Sequence, residues 1–392
     1  MLKHFLSKIY LILAIIVLST YSVTIQAQEF MEKIANVFEF DIGEERQDST
    51  FRYTKMVLAP IITYEPVTSF GFGVGAKFLF KPFGAGADTR TSNIPLSIQY
   101  TLENQFIATS AFTVFFPEEK YLFKGNAGFS KFPIGYYGLG TDTSDEAQVD
   151  ISFNNVLFEP LFLRRVAPHF FVGAGYRYNS YKKLRLIENK DDVALEQLFR
   201  DSLTSVSSGI ELAATFDSRD NVLNATTGVF SEFTHGFYSK GLGSISNFQL
   251  TKFNFRNYWT ISEDRPHDVL AIEFYTRLSW ADTPTLELST IGGPEFLRGF
   301  REGRFRDRYS IFTQAEYRWQ VLERIGFVFF GGIGNITDRI SEIDLDNNKY
   351  SIGTGIRFKI VKSENLNIRI DYALGLGKIR DQNFYLGIAE AF

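Results

Sequence analysis

The chain has 392 residues, of which 45% are hydrophobic and 16% aromatic, and its formal net charge is −4. A mean hydropathy of −0.07 excludes a bundle of membrane-spanning helices, and the net negative charge gives no reason to expect a nucleic-acid partner. The sequence contains no cysteine, which excludes disulfides, cysteine-ligated metals and a cysteine nucleophile.

Residues 1–27 have the features of a secretory signal peptide. Lys3 and Lys8 supply positive charge near its start, residues 9–18 form its apolar core, and Ala27 ends a suitable cleavage site. The alternative is a membrane anchor, which needs an uninterrupted apolar run of about 18 or more residues. Because this run is shorter, we expect the protein to be exported and the segment to be removed.

Residues 28–54 precede the first strand-like segment. Apolar side chains from Phe30 to Phe38 recur with helical spacing, which predicts a short amphipathic helix. Residues 41–50 then form a polar linker. Two roles remain open for this periplasmic segment: a tether on the rim of the following domain, or a plug or gate.

From residue 55 onward, apolar and polar residues alternate in segments separated by turn residues. Such segments, about ten residues long, are typical of strands in outer-membrane barrels. We therefore predict an all-β fold, a transmembrane antiparallel β-barrel of about 16 strands over residues 55–392. The predicted strands are 55–64, 69–81, 93–103, 104–116, 120–132, 148–163, 169–182, 204–217, 228–238, 246–260, 268–281, 308–320, 324–335, 348–360, 365–376 and 384–392.

The alternation also assigns faces to the strands. In residues 365–376, Leu366, Ile368 and Ile370 share one face, and Arg369 and Asp371 share the other. In a soluble sandwich the apolar face would be buried and the other face would meet solvent. Here the polar faces combine charges with many glycines, which suits a crowded, wet lumen.

Connection lengths give an independent test of this topology. Bacterial barrels have short periplasmic turns and longer outer loops. If the N-terminus is periplasmic, the long connections 133–147, 183–203, 282–307 and 336–347 all lie outside. The periplasmic connection 82–92 departs from this rule because it is long. This count makes residues 282–307 the sixth outer loop.

The sixth loop carries an unusual stretch of residues. It opens with two glycines and a proline, so it cannot be the middle of a helix or strand. Leu297, Arg298, Gly299 and Phe300 follow within an arginine-rich region. This stretch resembles the arginine–glycine–aromatic signature in the sixth outer loop of the BamA/TamA superfamily of outer-membrane proteins, the bacterial surface antigen type.

Two further stretches extend this resemblance. Asp217, Arg219 and Asp220, with Gly228 beyond them, are similar to the strand–turn–strand signature of that superfamily at strands eight and nine. Side-chain oxygens of such residues cap turns by accepting bonds from nearby backbone N–H groups. Residues 315–319 are similar to the superfamily's strand twelve.

The strand-thirteen and C-terminal patterns of the superfamily are matched in part. The strand-thirteen pattern usually has an aspartate at its centre, and this sequence has Gly332 there. The last strand ends in Phe392, which resembles the C-terminal insertion signal of outer-membrane proteins.

In that superfamily the loop arginine folds into the lumen and pairs with carboxylates of the wall. The resemblance therefore implies a loop lock at Arg298 and a weak seam between the first and last strands. Glu316 and Arg318 share the inward parity of strand twelve, and Asp371 is inward on strand fifteen. We expect Glu316 to be the first partner of Arg298, with Asp371 able to substitute. The alternative is that these charges only solvate the lumen.

The resemblance implies insertion or passage of polypeptide, or of lipid, at the outer membrane of a Gram-negative bacterium. The implied partners are outer-membrane lipid and the barrel-assembly machinery that inserts the protein itself. Assembly members usually carry periplasmic POTRA modules, which 27 residues cannot hold, so we expect a short member without them. No cofactor or metal is expected. The rival function is a passive or solute-selective channel.

A barrel enzyme is the weaker rival, and we expect none. A lipase would need a serine and a histidine in hydrogen-bond contact on the lipid-facing surface. Ser231 and His235 share that face, but they are four residues apart along one strand, which is too far for a hydrogen bond.

Overall fold

In the computed structural model, sixteen antiparallel strands form one closed barrel. The structure describes residues 39–40, 54–65, 69–86, 88–186, 204–222, 224–361, 366–388 and 390–392. The barrel strands are β1 (Thr54–Glu65), β2 (Ser69–Phe80), β3 (Ser92–Thr101), β4 (Phe106–Phe115), β5 (Tyr121–Tyr136), β6 (Val149–Ala167), β7 (Phe170–Leu186), β8 (Thr204–Asp217), β9 (Gly228–Tyr238), β10 (Phe248–Ser262), β11 (Arg265–Ala281), β12 (Tyr309–Gln320), β13 (Ile325–Thr337), β14 (Lys349–Val361), β15 (Leu366–Leu376) and β16 (Asp381–Ile388).

Short elements lie between the barrel strands. Single 3₁₀ turns occur at Pro117–Glu119, Asp145–Ala147, Lys240–Leu242, Thr285–Glu287, Ile340–Glu342 and Leu345–Asn347. Two short strands in the β11–β12 loop, Ser289–Ile291 and Phe305–Asp307, pair with each other. Among the described residues, no helix is long and apolar enough to span a membrane.

The barrel exposes apolar side chains and buries charged ones. Phe72, Ile98 and Trp319 are examples of large side chains exposed on the outer face, whereas Glu316 and Asp371 are fully buried on the inner face. This is the reverse of a soluble protein, and it follows from strands that place alternate residues against lipid and lumen. The predicted all-β fold, an antiparallel barrel of 16 strands, is confirmed.

Strand boundaries differ most from the prediction at the end of the chain. The last strand was expected at residues 384–392, but β16 begins at Asp381 and ends at Ile388. Ala391 and Phe392 are buried inside the barrel against Tyr258 and other inward-facing residues. The reason is an interior ion pair, because the Glu390 carboxylate lies 2.7 Å from Nε of Arg357.

The predictions for the start of the chain fall almost entirely outside the described residues. These are the signal peptide at residues 1–27 and the helix and linker within residues 28–54. The exception is Glu39–Phe40, a short strand that pairs with β1 opposite Val57 and Met56.

The barrel closes between β16 and β1, and this seam is sparsely paired. Among the described residues, the two strands pair at one position, with Leu386 opposite Tyr64. By contrast, β16 pairs with β15 from Ile388 to Asp381. Side chains support the seam near its single pair, where the rings of Tyr64 and Phe384 are 5.7 Å apart.

The β11–β12 loop, residues 282–308, folds into the barrel. Its short strand pair leads down to a tip at residues 292–304. Leu297 and Phe300 of the tip are fully buried and cluster with Phe312 and Ile336 from the inner wall. Burial of these side chains stabilises the tip by roughly 1.5–3 kcal/mol each. This apolar anchor positions the motif next to β12–β16.

Candidate functional site: the loop motif and its charge ring

The backbone of the loop tip is folded tightly. The N–H of Gly292 donates to the carbonyl of Phe296 at 2.9 Å, and the N–H of Gly293 donates to the carbonyl of Phe300 at 2.9 Å. Leu297 has a φ of 62° and Gly299 a φ of 112°. A Cβ on Gly299 would lie 2.6 Å from the backbone of β15. Glycine therefore lets the chain touch the wall and delivers Arg298 to it.

Arg298 binds two carboxylates of the inner wall. Its Nη2 is 2.5 Å from Glu316 on β12, and its Nη1 is 2.8 Å from Asp371 on β15. All three side chains are completely buried. The guanidinium also lies 3.5 Å from the centre of the Phe330 ring. The structure thus places both predicted partners on the same arginine, each at one prong of its fork.

These contacts belong to a closed circuit of alternating charges, which we call the charge ring. Arg318 Nε contacts Glu316 at 2.8 Å, and Arg357 Nη1 contacts Asp371 at 2.5 Å. Glu390 completes the circuit between these two arginines, at 2.7 Å from Arg357 and 4.0 Å from Arg318. In order, the ring consists of Glu316, Arg298, Asp371, Arg357, Glu390 and Arg318. It joins the loop, β12, β14, β15 and the segment after β16.

The loop motif also binds the closing strand directly. The Tyr385 hydroxyl on β16 accepts the N–H of Gly299 at 3.1 Å and donates to the carbonyl of Phe300 at 3.0 Å. Nδ2 of Asn383 donates to the carbonyl of Gly299 at 2.7 Å. On the other side, the Ser351 hydroxyl on β14 donates to the carbonyl of Arg298. Every carbonyl from Arg298 to Phe300 therefore has a partner on the wall.

Gly332 stands where the superfamily's strand-thirteen pattern usually has aspartate, and its surroundings in the structure explain this departure. A Cβ at this position would lie 2.8 Å from Cδ1 of Leu297 and 2.9 Å from Cβ of Gln314. The glycine leaves room for the buried leucine of the loop. The carboxylates that hold Arg298 come from β12 and β15 instead.

The predicted strand–turn motif lies at the opposite, turn-bearing end of the barrel from the loop mouths. The Asp217 carboxylate is held by Arg219 at 2.9 Å, and the Asp220 carboxylate accepts the N–H of Thr226 at 2.9 Å. Gly228 begins β9 with a φ of 101°. Arg90, from the long 82–92 connection, reaches Asp217 at 3.5 Å. The long connection therefore braces this turn.

Arg318 links the strand–turn motif to the charge ring. Its Nη1 donates to Asn224 and Ala225 at 3.2 and 3.3 Å, within the β8–β9 turn. Its Nη2 donates to the carbonyl of Phe392 at 2.7 Å. Phe392 thus lies inside the lumen beside the ring, and its predicted role as an insertion signal stays a prediction.

Five residues that bind the loop motif or complete the charge ring escaped the sequence analysis: Ser351, Arg357, Asn383, Tyr385 and Glu390. Alternation places Arg357 on the inward face of β14. Many other charged residues also face inward, so this pattern does not single Arg357 out. The strand predicted at 384–392 includes Glu390, but β16 ends at Ile388, so strand parity does not place Glu390. His235 and Ser231 are not brought together as a catalytic pair. His235 Nδ1 instead lies 2.7 Å from the Thr251 hydroxyl on β10.

A second set of ion pairs holds the outer part of the loop. Glu287 contacts Arg177 on β7 at 3.0 Å and Arg277 on β11 at 3.2 Å. Burial raises the pKa of Glu287, but the two guanidinium groups and the hydrogen bond from Asn179 together lower it by more, so the pKa lies below the ordinary glutamate value. Within the described parts of the chain, no group of three or more His, Asp or Glu side chains could hold a metal ion.

The chain is similar to a known protein family and to solved structures of barrel proteins. A family model described as the Omp85 superfamily domain matches residues 84–392. The fold is similar to BamA from Haemophilus ducreyi lacking POTRA domains 1–3, with a TM-score of 0.57 and 12% identity, over 86% of this chain and 70% of that one. No curated protein matches the sequence.

A second solved structure is also similar to this chain. CdiB from Acinetobacter baumannii has a TM-score of 0.54 and 12% identity, over 85% of this chain and 59% of that one. The chain therefore spans about three fifths of CdiB. At this identity, both likenesses show the fold alone.

Proposed function

The chain belongs to the Omp85 superfamily, and from this premise we propose that it inserts or passes polypeptide at the outer membrane through its β16–β1 seam. The match to this superfamily bears out the resemblance predicted from the sequence. Omp85-type barrels are insertion and transport proteins of the outer membrane, not enzymes. The finer role, the polypeptide substrate, the Gram-negative host and removal of the signal peptide are parts of the proposal.

The sparse pairing of the seam carries this proposal. Among the described residues, β1 and β16 pair only at Tyr64 and Leu386. An edge whose N–H and C=O groups lack a neighbouring strand is a template for another strand. An extended polypeptide can add to such an edge by main-chain hydrogen bonds, whatever its sequence. Pro60 in β1 fits an edge strand, because proline cannot donate to a ladder.

The loop motif would control the opening of this seam. Tyr385 and Asn383 bind the loop from β16, and Glu390 ties the segment after β16 into the charge ring. If Arg298 leaves its two carboxylates, β16 loses its interior support. We therefore assign residues 297–300 as the lock. Lipid and the client polypeptide are the proposed partners during opening, and the barrel-assembly machinery is the proposed partner in the protein's own insertion.

A disulfide across the seam tests this function. The chain has no cysteine, so Tyr64→Cys with Leu386→Cys introduces the only pair. The assay measures folding of a labelled, urea-unfolded copy of the chain into vesicles that already contain the oxidised variant. Folding is followed by the mobility of unheated samples on a gel. The reduced variant should accelerate folding of the added copy, and the oxidised variant should not. Reduction of the oxidised variant should restore the acceleration.

The matched control places the cysteines at Leu374 and Gln382, which are opposite each other on β15 and β16. This pair joins two strands that are already fully paired, so folding of the added copy should be unaffected. Equal acceleration by the oxidised and reduced seam variants would contradict opening at the seam.

A further inference from the structure

The outer half of the lumen contains a cavity that the proposed function does not use. It has a volume of about 500 Å³ and lies between the β1–β7 wall and the inserted loop. This is within the size range of small-molecule sites, roughly 300–1,000 Å³. Its lining combines hydroxyl and amide side chains with aromatic rings and three arginines: Arg177, Arg277 and Arg306.

Arg306 differs from the other two arginines because it has no carboxylate partner among the described residues. Arg177 and Arg277 both contact Glu287. Arg306 is 6% exposed, and its Nη1 donates to the carbonyl of Thr285 at 3.1 Å. Its Nε is buried and bonds to no protein atom in the described part of the chain. A buried, hydrogen-bond-deficient cation is costly unless an anion pairs with it.

The carboxylates near the cavity pair with two of its three arginines. Glu287 contacts Arg177 and Arg277, and Glu159 contacts Arg177 at 3.0 Å. The other acid in the lining is Glu302. Burial and the neighbouring Glu295 raise the pKa of Glu302 above its ordinary value, although Arg306 opposes this shift. Arg306 is therefore the arginine of the lining that no described carboxylate contacts.

Aromatic side chains lie beside this charge. Phe153 and Tyr181 form an edge-to-face pair with ring centres 5.0 Å apart. Both pack in the cluster that contains Leu286, which follows Thr285, the partner of Arg306. Tyr275 and Phe296 stack at 5.1 Å on the other side of the lining. The cavity therefore offers one arginine without a carboxylate partner among the described residues, next to aromatic rings.

We propose that this cavity binds a small aromatic anion, with its carboxylate or phosphate at Arg306 and its ring against Phe153 and Tyr181. A planar guanidinium can hold either group with parallel N–H bonds. Aromatic rings add offset or edge-to-face contacts to the ligand ring. The site would require both parts of the ligand, because neither an inorganic anion nor a neutral ring uses all of the lining.

Equilibrium dialysis of the folded protein in detergent tests this proposal with four probes. Benzoate and phenyl phosphate carry both parts, benzamide lacks the charge, and inorganic phosphate lacks the ring. We expect the two aromatic anions to bind about tenfold or more tightly than benzamide and inorganic phosphate. The stronger of the two anions identifies the head group. No binding of either aromatic anion would overturn the proposal.

Two substitutions assign binding to the cavity. Arg306→Gln should weaken binding of the aromatic anions about tenfold or more. The matched control is Arg308→Gln in the same loop, because Arg308 pairs with Asp338 at an exposed site and does not line the cavity. An equal loss in the control would contradict the site, as would unchanged binding by a folded Arg306→Gln protein.

A third variant keeps the test independent of how well Arg306→Gln folds. Phe153→Leu leaves Arg306 in place and keeps an apolar side chain, but it removes a ring proposed to contact the ligand. Affinity for the aromatic anions should fall about two- to tenfold, which is the scale of one aromatic contact, and binding of inorganic phosphate should not change. Unchanged binding of the aromatic anions in this variant would count against the proposal. Because no client polypeptide is present, these outcomes are separate from those of the seam experiment.

Discussion

The two edges of β16 are held by different means. On the β15 edge, backbone pairing runs from Ile388 to Asp381. On the β1 edge, the described parts of the two strands form one pair, Leu386 with Tyr64. Interior side chains hold the strand from the lumen, through Asn383 and Tyr385 to the loop. The barrel is thus closed at its seam largely by side chains, which can be released without unfolding the sheet.

Removing the loop tip should disturb this arrangement most. Deletion of residues 294–304 leaves Gly293 close to Phe305, because the flanking strand pair ends at Ile291 and Phe305. The lumen would lose its obstruction and β16 its interior support. In planar bilayers we expect large, steady conductance from the deletion variant and small, erratic conductance from the intact protein. Large, steady conductance in the intact protein would favour the passive-channel alternative.

Arg298→Ala should have the next largest effect. It leaves Glu316 and Asp371 buried without their shared cation, and breaking a buried pair costs about 3–5 kcal/mol. The free energy of unfolding should fall by that amount, measured from the denaturant at which unheated gel mobility changes. Arg308→Ala is the control, since its exposed pair with Asp338 is worth about 1 kcal/mol or less. Similar losses in both variants would show that the ring does not hold the loop.

A double-mutant cycle shows whether Arg298 and Glu316 act as a pair. Glu316→Gln alone should also destabilise, because Arg318 and Arg298 both contact this carboxylate. Asp371 can retain Arg298 in that variant, so the loss should be smaller than for Arg298→Ala. The double variant should lose less than the sum, with a coupling of about 0.5–3 kcal/mol. Strictly additive losses would mean that the contact contributes nothing.

Tyr385→Phe tests the direct link between loop and closing strand. It removes the hydroxyl that bonds Gly299 and Phe300 while the backbone pairing of β16 is kept. The expected loss is about 1–3 kcal/mol, because two buried backbone groups lose a partner. The rate of disulfide formation between cysteines at positions 64 and 386 should increase. If the disulfide forms at the same rate in the Tyr385→Phe variant as with Tyr385 in place, the contact between the loop and β16 does not control opening of the seam.

The smallest effect expected is the pH response of Glu287. Its folded pKa lies below the unfolded value, so its stabilising effect is present above about pH 4.3 and declines as pH falls. Acidification from pH 6 to pH 4 should remove at most about 0.6 kcal/mol through this residue. The measurement compares the pH dependence of unfolding in the protein and in Glu287→Gln. Identical pH dependence would refute this contribution.

The sequence alone predicts the barrel because apolar and polar residues alternate within each strand, and this pattern can be read without knowing which strands are neighbours. Inward parity placed Glu316 and Asp371 on the lumen side, and both lie on Arg298 in the structure. Parity cannot show which of many inward charges meet, so Arg357 was missed. Glu390 was missed because the predicted last strand continues to residue 392, whereas β16 ends at Ile388 and an ion pair with Arg357 sets the position of Glu390. The seam depends on register between the two ends of the chain, which no local pattern encodes.

Hydrogen exchange at the seam tests most directly whether the loop motif holds β16 against β1. Amide exchange of β1, β16 and the β8–β9 pair is compared in the protein, in Arg298→Ala and in Arg308→Ala. The account predicts faster exchange in Arg298→Ala for residues 58–65 and 381–388, with little change in β8 and β9 and none in the control. Unchanged exchange at the seam, or an equal rise in every strand, would contradict it.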